Sequence, residues 1–369
     1  MTENGKRSTK PKHIDTAELR WNRLGAQARW SSYARDMAHG LCEAVVVRFH
    51  SRKYRLDFEG DGRPRSSVNL DSCLRGEGLL CAVMGLGPVG EEKGVKSKGR
   101  SAFFAGPLIG KGRVLSPPTG IHPCFTQNAD GHVRIEDVSL KGWTADIGGL
   151  TWRAREINKS RIGMGKLVFY TPEFGRNAPR ARMAFAIDKN RIIDKASDAE
   201  IKIPPRGLAI CMNPPRGVSP ADIEVGTPVE FTPPSHSAPA EAVIAFPLAH
   251  RLLQSSGYAE EIRNDALLSS DRFVRQYRIR TAAVGITPDY EVVLALVDWE
   301  VRDREALLKT VARLMKDLGC VNAACGEPGS GGLCFSDGTA ERVKDDLGSA
   351  RGRWTYDRIV GPVILVKQA

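Results

Sequence analysis

The C-terminal third contains the stretch whose residue types and spacing are best suited to binding or catalysis. Residues 326–332, GEPGSGG, combine four glycines and Ser330 with one acid, Glu327. Glycine permits the positive φ angles that turn consecutive backbone N–H groups toward an anion, so Gly329, Ser330 and Gly331 are candidate anion-binding residues. The segment follows a helix C-terminus and does not lead into a helix, so no helix dipole adds attraction. A flexible connection between two elements explains the same composition.

Charged residues near this loop complete a candidate site. Arg280 lies in a strand pattern and can clamp a phosphate through its planar fork of N–H groups; the alternative is a strand-end arginine that pairs with a surface acid. Asp298 closes the next strand as either a site residue or the cap of a turn. Glu327 is a candidate proton donor or base, although surface glutamates are far commoner. Thr281 points to the other sheet face if the strand is regular.

The cysteines and histidines do not form a recognisable metal or thiol site. Eight cysteines and seven histidines are scattered along the chain, and no C-x₂-C pair occurs. Cys325 would need a nearby base to act as a nucleophile, and no histidine partner is evident, so a buried structural thiol is favoured. His122 and Glu260 are outside candidates for a site. We expect neither a metal nor a cofactor.

The composition indicates a globular protein. The 369 residues are 41% hydrophobic and 26% charged, with a formal net charge of +11. This excess suits an anionic substrate; nucleic acid is less favoured because no nucleic-acid-binding module is visible. No apolar run approaches the roughly 18 residues of a membrane span, and residues 1–15 indicate a basic disordered tail without a secretory signal. Without a disulfide framework, the chain is expected to be cytoplasmic and not membrane-bound.

Apolar spacing predicts a helix and then many short strands. Residues 16–40 have helical spacing, and residues 42–62 predict a β-hairpin, with the letters HSRK between its strands. In the middle of the chain, turn dipeptides such as Asp-Gly at 130–131 and Lys-Asn at 189–190 separate short strands. A Pro- and Ser-rich stretch at 231–242 indicates an exposed connection.

The final third has the clearest pattern. Two apolar strands flank a Pro-Asp turn at 288–289, and an amphipathic helix follows, with Asp303 as its N-cap and Gly319 as its C-terminal stop. A glycine loop and a closing strand complete a strand–strand–helix–loop–strand unit. The predicted fold class is therefore α+β with a mostly β middle region. The inward face of the helix is expected to consist of Leu307, Val311, Leu314, Met315 and Leu318.

Taken in order, these segments resemble the phosphodiester glycosidase family. The resemblance rests on RTAAVGITPDYEVVLALVD, LMKDLGCVNA, the Gly/Ser loop and VGPVILV near the C-terminus, and on GPLIGKGRVLSPP, NADGHVRIEDVSLKG, INKSRIGMGKLVFYTPEFG and IKIPPRGLAI upstream. It covers residues 80–367 and implies a glycosidase-like domain at 80–369, preceded by a helix-and-hairpin extension at 16–79. The family includes enzymes that remove N-acetylglucosamine from a sugar phosphodiester.

Two motifs of the family are altered in this chain. The family's Asn-Gly-Gly-Phe-Phe-type segment corresponds to AVMGLGPVG, with Met84 at the Asn position. Its Asn-Leu-Asp-Gly-Gly-Gly-Ser-Ser loop corresponds to NAACGEPGSGG, with Cys325 near the Asp position and Glu327 two residues on. The residues that match the family pattern are Arg280, Thr281, Asp298, Tyr170, Thr171, Gly329 and Ser330.

The resemblance implies a hydrolase that acts on a glycosyl or nucleotide phosphodiester, with Arg280, Asp298 and Glu327 as catalytic residues. The altered motifs leave two alternatives open. In the first, the same scaffold has been rebuilt for a different, biosynthetic reaction with Glu327 as the acid and base. In the second, the protein is non-catalytic and binds nucleic acid or another anion in a basic cleft. The expected substrate-binding residues are Thr281, Gly329, Ser330, Gly331, Tyr170, Thr171 and His122.

Overall fold

The structure is a computed structural model of the whole chain. Its description covers residues 19–24, 27–37, 40–58, 78–84, 86, 89–91, 102–104, 108–116, 122–138, 143–154, 156–157, 162–172, 174–214, 223–232, 241–263, 279–299, 304–326, 331–336, 342–343 and 363–369.

Most of the described residues lie in strands. In the first half of the chain these are β1 (Asn22–Arg23), β2 (Ala28–Met37), β3 (Gly40–His50), β4 (Tyr54–Phe58), β5 (Leu79–Met84), β6 (Val89–Glu91), β7 (Ala102–Phe104), β8 (Leu108–Gly110), β9 (Arg113–Ser116), β10 (His122–Asn128), β11 (Val133–Val138), β12 (Trp143–Ile147), β13 (Leu150–Ala154), β14 (Glu156–Ile157) and β15 (Leu167–Tyr170).

The second half adds further strands and two helices. The short helix is Glu260–Arg263 and the long helix is Arg304–Asp317. The strands are β16 (Asn177–Ala181), β17 (Met183–Asp188), β18 (Arg191–Ala196), β19 (Ala199–Lys202), β20 (Leu208–Met212), β21 (Val229–Thr232), β22 (Ala242–Pro247), β23 (His250–Gln254), β24 (Gly257–Tyr258), β25 (Ile279–Ile286), β26 (Glu291–Trp299), β27 (Asn322–Cys325), β28 (Gly332–Ser336), β29 (Arg342–Val343) and β30 (Ile364–Gln368).

The largest sheet, called the main sheet below, has eight strands in the order β1-β2-β3-β26-β25-β27-β23-β24. All of its pairings are antiparallel. Its centre is the hairpin of β25 and β26, which confirms the two strands predicted around the Pro-Asp turn. Both strands are rich in Val, Ile, Leu and Ala, as expected for strands that are buried on both faces.

The helix predicted for residues 16–40 is wrong. Strand β2 pairs with β3 from Ala28 opposite Phe49 to Met37 opposite Gly40. Ala28 and Trp30 pack into one core cluster, whereas Arg29 lies between them on the other face, as the two-residue period of a strand requires. The long-range ladder to β3 therefore overrides the helical spacing of the apolar residues.

The long helix confirms the helix predicted in the final third. Val311, Leu314, Met315 and Leu318 are all buried, and they pack on one face of the main sheet against Val293, Ala295 and other apolar residues. Gly319 adopts a φ of 82° directly after the helix, which is the left-handed conformation that favours glycine at a helix end. The segment after it, predicted as part of a loop, forms strand β27 in the main sheet.

The opposite face of the main sheet packs on a five-stranded sheet, called the cover sheet, with the order β29-β28-β5-β30-β4. The two strands predicted within residues 42–62 are present as β3 and β4, but they do not form a hairpin. β3 pairs with β26 in the main sheet, and β4 pairs with β30 in the cover sheet. Residues 40–58 thus share both sheets with the C-terminal third, while the domain boundary at 79–80 stays a prediction.

The middle of the chain forms further sheets. One, in the order β11-β10-β22-β8-β9, adds Phe125, Ile135 and Phe246 to the core between the main and cover sheets. Another, in the order β14-β15-β20-β17-β18, has its own core. The two predicted turn dipeptides are confirmed, because Gly131 has a φ of 81° between β10 and β11 and Asn190 a φ of 59° between β17 and β18.

The predicted fold class, α+β, is wrong: the described residues form a mostly β structure of several antiparallel sheets with one long helix. The reason is that Ala28–Met37, within the predicted helix, and Asn322–Cys325, between the long helix and the glycine loop, are strands of the main sheet. Neither helix of the described residues combines the length and the apolar character that a membrane crossing requires.

Candidate functional site

Three charged residues form one row across the main sheet. Arg280 lies opposite Asp298 in the pairing of β25 with β26, and Asp298 lies opposite Glu43 in the pairing of β26 with β3. Directly paired residues point their side chains to the same face. That face is the one toward the cover sheet, because Ala282 and Leu296, two residues along each strand, pack into the core between the sheets.

Arg280 and Asp298 form a buried ion pair. The Nε of Arg280 donates a hydrogen bond of 2.6 Å to Oδ2 of Asp298, and the two residues are 8% and 1% exposed. Asp298 is therefore buried in an ion pair at the edge of the core and is not the surface acid that the sequence allowed as a partner of Arg280. The pair fixes the orientation of Arg280 at the edge of the core.

Glu43 is a member of this charged row that the sequence patterns did not indicate. It is half-buried at the start of the apolar run of β3. Glu43 joins the row because the register between β3 and β26 places it opposite Asp298. Cross-strand partners have Cβ atoms about 4.5–5.5 Å apart, so two carboxyl groups and one guanidinium are concentrated here. A polar residue at the expected core face of an otherwise apolar strand was the one available sequence signal.

Both ends of the glycine-rich loop lie beside this row. The N–H of Gly326 donates to the carbonyl oxygen of Ala282 at 2.9 Å, and a Cβ added to Gly331 would lie 2.6 Å from the backbone nitrogen of Ala282 and 3.0 Å from Cδ1 of Leu296. Gly331 therefore rests on the face of the main sheet that carries Arg280. The residues between these ends include the predicted Glu327, Gly329 and Ser330, which lie outside the described residues.

The two altered motifs meet at the same place. Gly332, the first residue of β28, pairs with Met84, the last residue of β5. Strand β28 in turn packs across β25 and β26. The ends of both divergent segments and the charged row thus lie at one edge of the space between the main and cover sheets.

Two residues that neighbour the site in sequence point away from it. Thr281 is fully buried, donates its hydroxyl to the carbonyl oxygen of Gly326 at 3.3 Å, and alternates with Arg280 toward the helix-covered face. Cys325 is also fully buried and packs with the core beneath the long helix. The hydroxyl of Thr281 thus anchors the start of the glycine loop, and Cys325 is a core thiol, the reading favoured by the sequence.

The remaining predicted residues belong to other parts of the fold. Tyr170 ends β15 and is fully buried against Phe174, with ring centroids 4.8 Å apart. The backbone carbonyl of Thr171 accepts a hydrogen bond from the N–H of Phe174. This turn belongs to the sheet with a separate core, not to the charged row. His122 begins β10 opposite Val138, and Glu260 begins the short helix.

Described thiols have the properties of core residues. Burial raises the pKa of Cys320 to about 12, with the positive charge of Arg48 opposing the change, and burial also raises the pKa of Cys211 to about 12. A thiolate is the reactive form of cysteine, so neither residue is an activated nucleophile. Across the part of the chain that the structure describes, no three acidic, histidine or cysteine side chains are grouped closely enough to hold a metal ion.

Comparison with known proteins supports the fold. Neither a protein-family model nor a curated protein matches the sequence. A hypothetical protein from Synechocystis is similar in structure, with a TM-score of 0.72 and 15% identity over 95% of this chain and 64% of that chain. A protein from Burkholderia pseudomallei has a TM-score of 0.65 and 16% identity over 89% of this chain and 74% of that chain. These likenesses show the fold alone, and this chain spans only 64% of the Synechocystis protein's length.

A third structure is more distant. The catalytic domain of zebrafish N-acetylglucosamine-1-phosphodiester alpha-N-acetylglucosaminidase, auto-inhibited by its pro-peptide, aligns over 95% of this chain and 88% of that chain with a TM-score of 0.43 and 13% identity. No conclusion about the function of this chain rests on that alignment.

Proposed function

We propose that this protein is a hydrolase-like enzyme that cleaves a glycosyl phosphodiester or a related phosphate-bearing small molecule at the row of Arg280, Asp298 and Glu43. Arg280 holds the phosphate, and Asp298 keeps the guanidinium in position. A carboxyl group removes a proton from the attacking water as the oxygen of that water joins the sugar carbon. The bond from that carbon to the phosphate oxygen breaks, and the phosphate leaves on Arg280. The proposal includes the cytoplasmic setting expected from the composition.

One observation carries the proposal: an oriented arginine, two carboxyl groups and a glycine loop end share one edge of the core. Orientation matters because a preorganised donor stabilises developing charge without further rearrangement. The order of sequence motifs that resembles the phosphodiester glycosidase family adds support. Two carboxyl groups beside one another are also the usual equipment of glycoside hydrolysis. Glu43 and the predicted Glu327 are the two candidates for the proton transfer.

The test compares two buried arginines of the main sheet. Arg280→Lys keeps the positive charge but loses the planar fork, and Arg251→Lys is its matched control. Arg251 lies on β23, two strands from Arg280 in the main sheet. It is 7% exposed and donates a hydrogen bond of 2.7 Å to Asp137. Each full-length variant is incubated with sugar phosphodiesters and nucleotide sugars, and released sugar is measured. We expect loss of at least about 100-fold in rate for Arg280→Lys only. Equal rates in both variants would remove Arg280 from the chemistry.

The proton-transferring group is identified by two isosteric variants. Glu43→Gln and Glu327→Gln each remove one ionisable group while keeping side-chain size. The variant that loses about 100-fold or more in turnover with substrate affinity retained identifies the group, since general acid–base catalysis contributes about 10²–10⁴-fold. Full turnover in both variants would exclude both residues from proton transfer.

A second candidate function is a non-catalytic anion-binding protein. The observation that favours it is the closed ion pair itself, because Arg280 already contacts Asp298 and is only 8% exposed. The substitution of Met84 for the asparagine of the family pattern adds to it. In this case the protein would bind sugar phosphates or nucleic acid without releasing product. Binding that weakens steeply with salt, together with no turnover of any substrate in the panel, would decide for this function.

A further inference from the structure

A groove lies at the far end of strand β26 from the proposed site. It encloses about 590 Å³, within the range of small-molecule pockets. Its walls come from β1, the start of β2, the end of β3 and the start of β26. Among the residues that line it are Trp21, Arg29, His50 and Glu291.

The groove is separate from the charged row in both position and direction. Glu291 and Asp298 are the two ends of one strand, seven residues apart, which corresponds to roughly 23 Å along β26. Successive strand residues alternate between faces. Glu291 therefore points to the face covered by the long helix, as Val293 does, whereas Asp298 points toward the cover sheet.

Glu291, the acid among these lining residues, is already paired with a cation, Arg48. The Nε and Nη2 atoms of Arg48 both lie 2.6 Å from Oε2 of Glu291. Arg48 also donates from Nη1 to the carbonyl oxygen of Leu318 at 3.3 Å, which ties it to the end of the long helix. The positive charge of Arg29, whose Nη2 lies 3.7 Å from Oε1 of Glu291, is then in excess. The groove has a net positive charge, which favours an anionic ligand.

Arg29 is held in place and is accessible. Its guanidinium carbon lies 5.0 Å from the centroid of the Trp21 ring, a cation–π contact that fixes the fork. The side chain of Arg29 is 44% exposed. The backbone N–H of Arg52 donates to Nδ1 of His50 at 3.2 Å, so a neutral His50 carries its hydrogen on Nε2 and is a further donor at the groove wall. Trp21 provides an apolar wall for an organic group.

We propose that this groove binds a small organic phosphate, with the phosphate on Arg29 and the organic part against Trp21. A guanidinium fork matches phosphate oxygens in pairs, and the groove is larger than a free phosphate ion needs. Nucleotides and sugar phosphates share the required chemistry. The site does not depend on the function proposed for Arg280.

The experiment is an isothermal titration of the full chain at low ionic strength with four probes: AMP, ribose 5-phosphate, adenosine and inorganic phosphate. We expect saturable binding of AMP or ribose 5-phosphate, and weaker binding of adenosine. Arg29→Gln should weaken binding at least about fivefold, as expected for a lost charge-assisted contact. Arg191→Gln is the matched control, since Arg191 is an exposed strand arginine in a different sheet, and it should leave the affinity unchanged.

The position of the ligand is checked by fluorescence. Bound ligand should change tryptophan emission in the native protein, and Trp21→Phe should remove that change while keeping a ring beneath Arg29. If AMP binds and ribose 5-phosphate does not, the adenine base of the ligand is part of what the groove recognises. If both bind, a sugar phosphate is sufficient for recognition. Equal affinity for adenosine and AMP, unchanged affinity in Arg29→Gln, or no saturable binding of any organic phosphate would each overturn the proposal.

Discussion

Each end of strand β26 carries a carboxylate paired with an arginine, and the two pairs differ in burial. At one end Asp298 and Arg280 are 1% and 8% exposed and face the core between two sheets. At the other end the side chains of Glu291 and Arg48 are 24% and 17% exposed, and the second arginine, Arg29, is 44% exposed. One strand thus places the same pair of functional groups in two dielectric environments.

The comparison shows how burial changes what an ion pair can do. At the buried end, water cannot compensate a charge that loses its partner, so each member depends on the other. That dependence holds the guanidinium in one orientation, which suits chemistry that needs a fixed donor. At the exposed end, solvent screens the pair, and an arginine can exchange partners at little cost. That environment suits reversible binding of an anion.

The largest expected effect is at the buried end. Arg280→Met removes the guanidinium that donates to the buried carboxylate of Asp298, and we expect a loss of about 3–5 kcal/mol in the free energy of unfolding, measured by urea denaturation. The double variant Arg280→Met with Asp298→Leu replaces both charges by apolar groups and should recover most of the loss. A loss below about 1 kcal/mol in the single variant would mean that other groups or water compensate the carboxylate of Asp298.

A second destabilising substitution at the buried end of β26 is expected at Gly331, where the glycine loop meets the main sheet. A Cβ on Gly331 would lie 2.6 Å from the backbone nitrogen of Ala282 and 2.7 Å from the carbonyl carbon of Thr281. Backbone atoms in a paired strand have little room to move, so Gly331→Ala should cost about 2–3 kcal/mol, in the upper part of the range for overpacking. Gly257→Ala is the control, since its added Cβ would meet only the carbonyl of Gln254 at 3.5 Å. Equal unfolding midpoints for Gly331→Ala and Gly257→Ala would show that the backbone at Gly331 moves enough to accommodate a Cβ.

The sequence was sufficient to predict the hairpin of β25 and β26 and the long helix. Their apolar periods are unbroken, and local signals mark their ends, such as Gly319 with its φ of 82°. Local pattern also sufficed for the turns at Gly131 and Asn190. In these elements the propensity of each segment and its final environment agree, so the pattern alone determines the structure.

Non-local pairing explains what could not be predicted. The residues of β2 have helix-compatible spacing, and only the ladder to β3 makes them a strand. The same applies to Glu43, which enters the candidate site through its register opposite Asp298 on a strand more than 250 residues away in sequence. Arg280 and Asp298 were both predicted as site residues from the family resemblance, yet their direct pairing follows from the hairpin register.

A smaller effect is expected at the exposed end. Glu291→Gln removes the charge that Arg48 contacts through two nitrogen atoms at 2.6 Å, while the amide oxygen retains one acceptor. We expect a loss of about 1–2 kcal/mol in the free energy of unfolding, below the usual value for a fully lost hydrogen bond to a charged group. A loss as large as that of Arg280→Met would mean that the two ends of β26 are equally dependent on their ion pairs.

The smallest effect is expected for Arg29→Gln. Its guanidinium is 3.7 Å from Glu291, and surface pairs of this kind contribute about 0–1 kcal/mol after solvent screening. Urea denaturation in low salt should show a difference in that range, and at 1 M salt, where the Debye length is about 3 Å, the contribution of the ion pair to that difference should vanish. The cation–π contact with Trp21 persists in salt, so a residual loss there would measure that contact. Because Arg29 would then contribute little to folding, any loss of organic phosphate binding in this variant reports on the ligand and not on the stability of the groove.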